Sequence, residues 1–175
     1  RWEASALAGA LFVKVVLVLL LIPLIYGTAL FIVAVFALPL MLERVAEKDY
    51  PGLERRNGGT LAGSIGNALL AVAVFLAGWI VTLPLWLIPG MGIALPLLLS
   101  GYLNYRGFSY VALSAHAGAD EIDAVLARER GGLYLAGIVA GLLAFIPVIN
   151  LVAPAYAALA FIHYCLETLR RERAK

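Results

Sequence analysis

Few residues in this sequence could do chemistry, and the most suggestive of them carry no charge. Gly90 and Gly92 follow Pro89 in "LIPGMGIALPLL" (Leu87 to Leu98), and Asn150 follows Pro147 in "FIPVINLVAPAY" (Phe145 to Tyr156). A helix that restarts after Pro-Gly-x-Gly leaves backbone N–H groups unsatisfied at its N-terminus, where the helix dipole also favours negative charge. In an apolar setting this spacing predicts a spot that holds a small anion without help from a side chain. Glycine lets a ligand come close to the backbone, and Asn150 adds an amide at the second break. The structural alternative is simpler: the glycines permit the turn, and Asn150 caps the helix that follows.

Arg44 and Arg106 border uncharged blocks, where a guanidinium would draw an anion toward the mouth of a path. "NYR" (Asn104 to Arg106) and "HYC" (His163 to Cys165) hold nearly the same place relative to the two breaks. They predict either a polar vestibule or an interfacial belt of Tyr and His. No other pattern carries chemistry. His163 has no carboxylate or second His at ligand spacing, His116 falls in a loop, and Ser64, Ser100 and Ser114 sit in no nucleophile motif. There is no P-loop, and the single Cys165 excludes an internal disulfide and a cysteine-based zinc site. The expectation is a protein that is not an enzyme, with no cofactor and no metal, whose driving force comes from a gradient or a partner.

The elements that must position these residues follow from composition. Of 175 residues, 63% are hydrophobic and only 14% are charged, against about 25% charged in soluble domains. With a mean hydropathy of +0.97, the chain reads as an all-α integral membrane protein of one domain, residues 1–175, with the lipid bilayer as its surroundings. The net charge of +2, scattered among acids, gives no reason to expect nucleic acid. Val15 to Leu42 is uncharged and longer than the ~20 residues that cross a bilayer, so it predicts a transmembrane helix over 15–42, kinked at Pro23. A polar connection with turn signals, Glu43 to Gly59, follows.

Two further blocks lack charge, Asn57 to Tyr105 and Gly131 to Leu166, and each is broken near its middle. Ile88-Pro89 and Pro96 align with Ile146-Pro147 and Pro154 at one constant offset, which suggests two copies of one unit. The arm Leu151 to Ile162 spans only roughly 18 Å at 1.5 Å per residue, and Met91 to Leu103 is similarly short of the ~30 Å hydrocarbon core. Neither break carries charge. The reading is therefore two re-entrant helical hairpins, 60–105 with its tip at 88–92 and 131–166 with its tip at 146–150. Four ordinary spanning helices with tight apolar turns are the alternative. Between the hairpins, 106–130 reads as a polar loop ending in a short amphipathic helix from near Asp120, with Ile122, Val125 and Leu126 on one face. A basic tail, 167–175, closes the chain and favours a cytoplasmic C-terminus. Gly59 to Gly63 and Gly137 to Gly141 are small-xxx-small patterns for close helix contact, within or between subunits.

The tips "IPGMG" and "IPVINLVAP", the exit "SGYLNYR" and the helix end "FALPLMLERV" together resemble the CysZ-like sulfate permease family, grouped with etoposide-induced membrane proteins, from about Phe31 to Arg171. The resemblance implies two long transmembrane helices and two hemi-penetrating hairpins, a homo-oligomer in the bacterial inner membrane, and sulfate uptake for cysteine biosynthesis. It also implies an upstream helix bearing a glycine- and arginine-containing sulfate motif. Nothing here matches that motif; the sequence starts within what the resemblance makes the second helix, so the motif's residues are not carried over and the N-terminal helix is expected to be missing. The functional expectation is a permease or channel for sulfate or a related small oxyanion, with Gly90, Gly92, Asn150, Arg44 and Arg106 as anion or pore candidates. The rival is a non-transport scaffold or assembly protein that packs through its glycine-rich faces.

Overall fold

The structure is a computed structural model and describes residues 2–146, 149 and 152–175. Those residues form helices α1 (Trp2–Ile32), α2 (Leu38–Asp49), α3 (Leu61–Thr82), α4 (Met91–Ser114), α5 (Ala119–Arg128), α6 (Arg130–Leu143) and α7 (Ala153–Arg173). Two helical stretches are long and apolar enough to cross a membrane, Gly9–Asp49 and Leu61–Leu87.

The first stretch runs beyond the expected 15–42 at both ends, because α1 and α2 are joined without a loop by a π turn over Val33–Ala37. Pro39 explains the turn. It lacks an N–H, and its ring would strike the carbonyl four residues back. The preceding turn widens instead, and the Leu38 N–H donates to the Val33 carbonyl five residues back. The extra residue keeps one buried stripe, Leu30, Ala34, Leu38 and Leu42, turned toward the bundle. Pro23 raises a different problem, since it leaves the Leu19 carbonyl without its helical donor. Trp79 of α3 supplies one: its indole N–H donates to the Leu19 carbonyl at 3.1 Å. A neighbouring helix thus satisfies the backbone group that proline frees, which is how proline is tolerated inside apolar helices.

The first break is a compact turn. Thr60 caps α3 by accepting the Gly63 N–H at 2.9 Å. After α3, Leu83–Leu87 forms a 3-10 turn. Ile88 is extended, as a residue before proline must be. Gly90 has φ +85°, and the Met91 N–H donates to the Ile88 carbonyl at 3.1 Å. Ile88-Pro89-Gly90-Met91 is therefore a type II turn, in which the third position needs a positive φ.

Two expectations are corrected here. The arm after the first break is not short, because α4 continues from Met91 to Ser114. The connection expected over 106–130 accordingly begins only after Ser114. The reason is burial: Phe108, Val111, Ala112 and Leu113 extend the apolar face of α4 into the core, and this outweighs the polar residues among them. The short amphipathic helix is present as α5, with Ile122 and Val125 buried. Glu121 reaches back to accept the Gly118 N–H at 2.8 Å, which fixes its start.

The glycine patterns are used inside the chain. A Cβ on Gly137 would land on the Gly101 carbonyl oxygen, one on Gly141 would press on Ser100, one on Gly63 would meet the Tyr110 hydroxyl, and one on Gly59 would meet Ser114. They let α6 lie against α4, and α3 with the segment before it lie against the end of α4.

The two hairpins meet α1 at different points. Trp79 and Trp86, with ring centroids 4.7 Å apart, place the first tip near Leu19. The second hairpin meets α1 at Tyr26 and Leu30 through Ala144, Ala153 and Ala157. At 1.5 Å per residue, Leu19 and Tyr26 are about 10 Å apart along α1. The second tip, 146–150, lies largely outside the described residues.

Candidate functional site

The charged segments converge at one end of the bundle. The strand-like strap before α3 is tied to the α4–α5 turn: the Asn57 N–H donates to the Ala115 carbonyl at 3.1 Å, Gly58 to Ala117 at 2.8 Å, and Gly59 to Ser114 at 2.9 Å. Arg173 of α7 holds the three segments together. It donates to Glu121 Oε1 at 3.1 Å and Oε2 at 2.8 Å, to the Glu54 carbonyl at 2.9 Å and to the His116 carbonyl at 2.6 Å. Arg56 adds a second bond to Glu121 at 2.8 Å. Beside this clamp an open groove of about 670 Å³ is lined by Tyr50, His163, Tyr164, Glu167 and Arg171. Acids and bases alternate along it, so it presents no field of one sign.

The clamp carries a pH dependence. The Arg173 bond holds the Glu121 carboxyl at about 2, well below its ordinary 4.5. Burial, reinforced by the Arg55 and Arg173 charges, pushes His116 below its ordinary 6.5. Both groups bind fewer protons in the folded chain than in the unfolded one, so acid destabilises the fold. His116 withdraws its contribution as pH falls below 6.5, and Glu121 withdraws its own between 4.5 and about 2. Thermal unfolding in detergent should show Tm falling along both limbs, with Glu121→Gln flattening the lower and His116→Gln the upper; a Tm independent of pH from 7 down to about 4 would contradict the linkage.

The expected anion residues that are described lie apart in the chain's elements. Gly90 and Gly92 sit at the exposed first tip, among Leu87, Ile88, Met91 and Ile93. Part of the amide cluster is already engaged: Met91 donates to Ile88, and Ile93 and Ala94 both donate to the Gly90 carbonyl. Gly90 supplies the positive φ of the turn, and Gly92 faces open space apart from the Trp86 carbonyl. Asn150 lies outside the described residues. Arg44 is exposed on α2. Arg106 is half-buried on α4, about 12 Å inside the end of that helix at 1.5 Å per residue. Its Nε is buried without a hydrogen-bond partner, and it makes no ion pair among the described residues.

"NYR" and "HYC" also part company. Asn104 is not at an interface; it is 1% exposed, and its amide N–H donates to the Gly137 carbonyl across the α4–α6 seam at 3.0 Å. His163 is exposed at the charged end, 3.2 Å from the Tyr50 hydroxyl. Sequence alone did not pair the buried Ser100 and Asn104 with the half-buried Tyr26, because their approach depends on α1, α4 and α6 closing together. The available signal was two polar side chains one helical turn apart on α4, Ser100 and Asn104, opposite the small residues of α6.

Two long apolar helical stretches, polar segments gathered at one end of the bundle and a proline whose freed carbonyl is met by a neighbouring helix mark an α-helical membrane protein. Residues 1–154 match the family described as Sulfate transporter CysZ/Etoposide-induced protein 2.4, and the chain belongs to that family. No curated protein and no solved structure matches it significantly.

Proposed function

We propose that the chain is an inner-membrane permease or channel for sulfate or a related small oxyanion, supplying sulfur assimilation in a bacterial cell and working as a homo-oligomer. Membership of a family described as a sulfate transporter supports the solute class. The observation that carries the reading is Arg106. A guanidinium half-buried between apolar helices, without an acidic partner among the described residues, suits a visiting anion. Arg44 adds attraction at the charged mouth, and the backbone amides near Gly90, Gly92 and Asn150 supply uncharged donors farther along. In this reading the second hairpin is re-entrant, because α6 spans only about 21 Å of the ~30 Å hydrocarbon. The first hairpin, with its longer helices, reaches most of the way across. The scaffold reading relied on free glycine faces, and those faces are occupied within the chain.

Radiolabelled sulfate flux into liposomes tests the proposal. The parent protein should give uptake above protein-free liposomes, and Arg106→Gln should lower it by about tenfold, the equivalent of about 1.4 kcal/mol of lost stabilisation. Uptake by the parent equal to protein-free liposomes would sink the idea.

A further inference from the structure

The side-chain amide of Asn104 is almost wholly buried, and its two ends have different fates. Its N–H donates to the Gly137 carbonyl, which fixes which way the amide points. Its Oδ1 is buried with no hydrogen-bond partner. Asn104 lines a narrow cleft, too tight in this closed form to hold a water molecule, between α1 at Tyr26 and Leu30 and the second hairpin at Ala140, Ala144, Ala153 and Ala157. Tyr26 of α1 lines the same cleft, and Ser100, one turn from Asn104 on α4, gives its own proton to the Pro96 carbonyl at 2.8 Å. The cleft thus holds an unmet acceptor, and its wall on the hairpin side is mostly alanine, set against Tyr26 and Leu30 of α1. A bare anion gains nothing from an amide oxygen. A hydrogen-bond donor does, and the small neutral donor that reaches any membrane protein is water.

We propose that Asn104 and Tyr26 form the two sides of a closed, water-accepting constriction between α1 and the second hairpin. Water enters when the hairpin swings away from α1, and a hydrophilic solute crosses there with part of its hydration shell. The unmet Oδ1 favours this opening, because a desolvated acceptor is costly while the cleft is shut and is satisfied once water arrives. The alanines on the hairpin side present no long side chains that would catch on Tyr26 and Leu30 of α1 as the two part. The solute's passage rests on the transport reading above; the hydration of the constriction does not.

Cysteine accessibility in proteoliposomes of the full chain separates the two. Ala144→Cys places a thiol in the cleft, and Leu142→Cys places one on an outward position of the same helix, 47% exposed. The native Cys165 is fully buried and serves as the internal blank. Each protein is treated with a membrane-impermeant, trimethylammonium-bearing thiosulfonate, and modification is followed by intact mass without sulfate present. Because the reacting species is the thiolate, which forms where water reaches, Ala144→Cys should react at least about tenfold faster than Leu142→Cys. Adding Asn104→Leu should bring that rate down to the control. Should Asn104→Leu fail to fold, Tyr26→Phe, which removes only a hydroxyl, should lower the rate in its place. Equal rates at the two cysteines, or rates unmoved by these substitutions, would overturn the constriction. Absent sulfate flux with a reactive Ala144→Cys would instead refute the transport reading and leave the hydrated constriction standing.

Discussion

Arg173→Ala lowers the unfolding free energy by about 3 kcal/mol, one of the largest single effects expected at the charged end. The Arg173 side chain is 17% exposed, and its partner Glu121 is 26% exposed. Removing the guanidinium breaks a two-pronged bond to Glu121 and leaves two carbonyls, of Glu54 and His116, without this donor. It also frees the tail of α7 from the strap and the α4–α5 turn, so the loss is shared by three segments. Hydrogen bonds to charged groups are worth about 1.5–3 kcal/mol each, and Arg56 compensates in part by keeping its own bond to Glu121. The comparison is Arg171→Ala. Arg171 is 74% exposed and pairs with Glu167 on its own helix, so its loss should cost under about 1 kcal/mol. Denaturant titration in detergent measures both, and equal losses would show that the clamp is no stronger than a surface pair.

Gly137→Ala should be as damaging by a different route. The added methyl would collide with the backbone oxygen of Gly101, which cannot rotate aside as a side chain would. The α4–α6 seam must then open, straining the bond from Asn104 to the Gly137 carbonyl. Overpacking of this kind costs about 1–3 kcal/mol, and a backbone obstacle places it at the upper end. Gly131→Ala, on the same helix, adds a methyl that meets nothing. It should be neutral or stabilising by up to about 1 kcal/mol, since alanine is the better helix former. A Tm for Gly137→Ala as high as that of Gly131→Ala would mean the seam is looser than the structure places it.

Both effects arise at positions the sequence marks only in outline. Gly137 and Gly141 advertise close helix contact through their spacing, yet the spacing does not say which helix approaches. The answer, α4 at Gly101 and Ser100, makes the contact internal and removes the free surface that a scaffold would use. Arg173 belongs to a tail whose composition reads as a basic flank. Its partners are more than fifty residues away in the chain, and a long-range ion pair leaves no periodic trace. Arg106 and Asn104 looked like residues leaving the membrane because charge reappears in the sequence at Arg106. Burial of Phe108, Val111, Ala112 and Leu113 carries the helix on past them, and leaves Asn104 buried and Arg106 half-buried along it.

The sequence by itself determined the class of the protein, the long apolar helices, the first break and its turn. Those are local or compositional matters: too few charges for water, proline without an N–H, and glycine where φ must be positive. Only the tertiary structure decided how far α4 extends, where each hairpin meets α1, which helices the glycines admit, and that Asn104 and Tyr26 line one cleft. Each of these depends on the packing free energy of residues distant in the chain, and such energies are not written in the order of neighbouring residues.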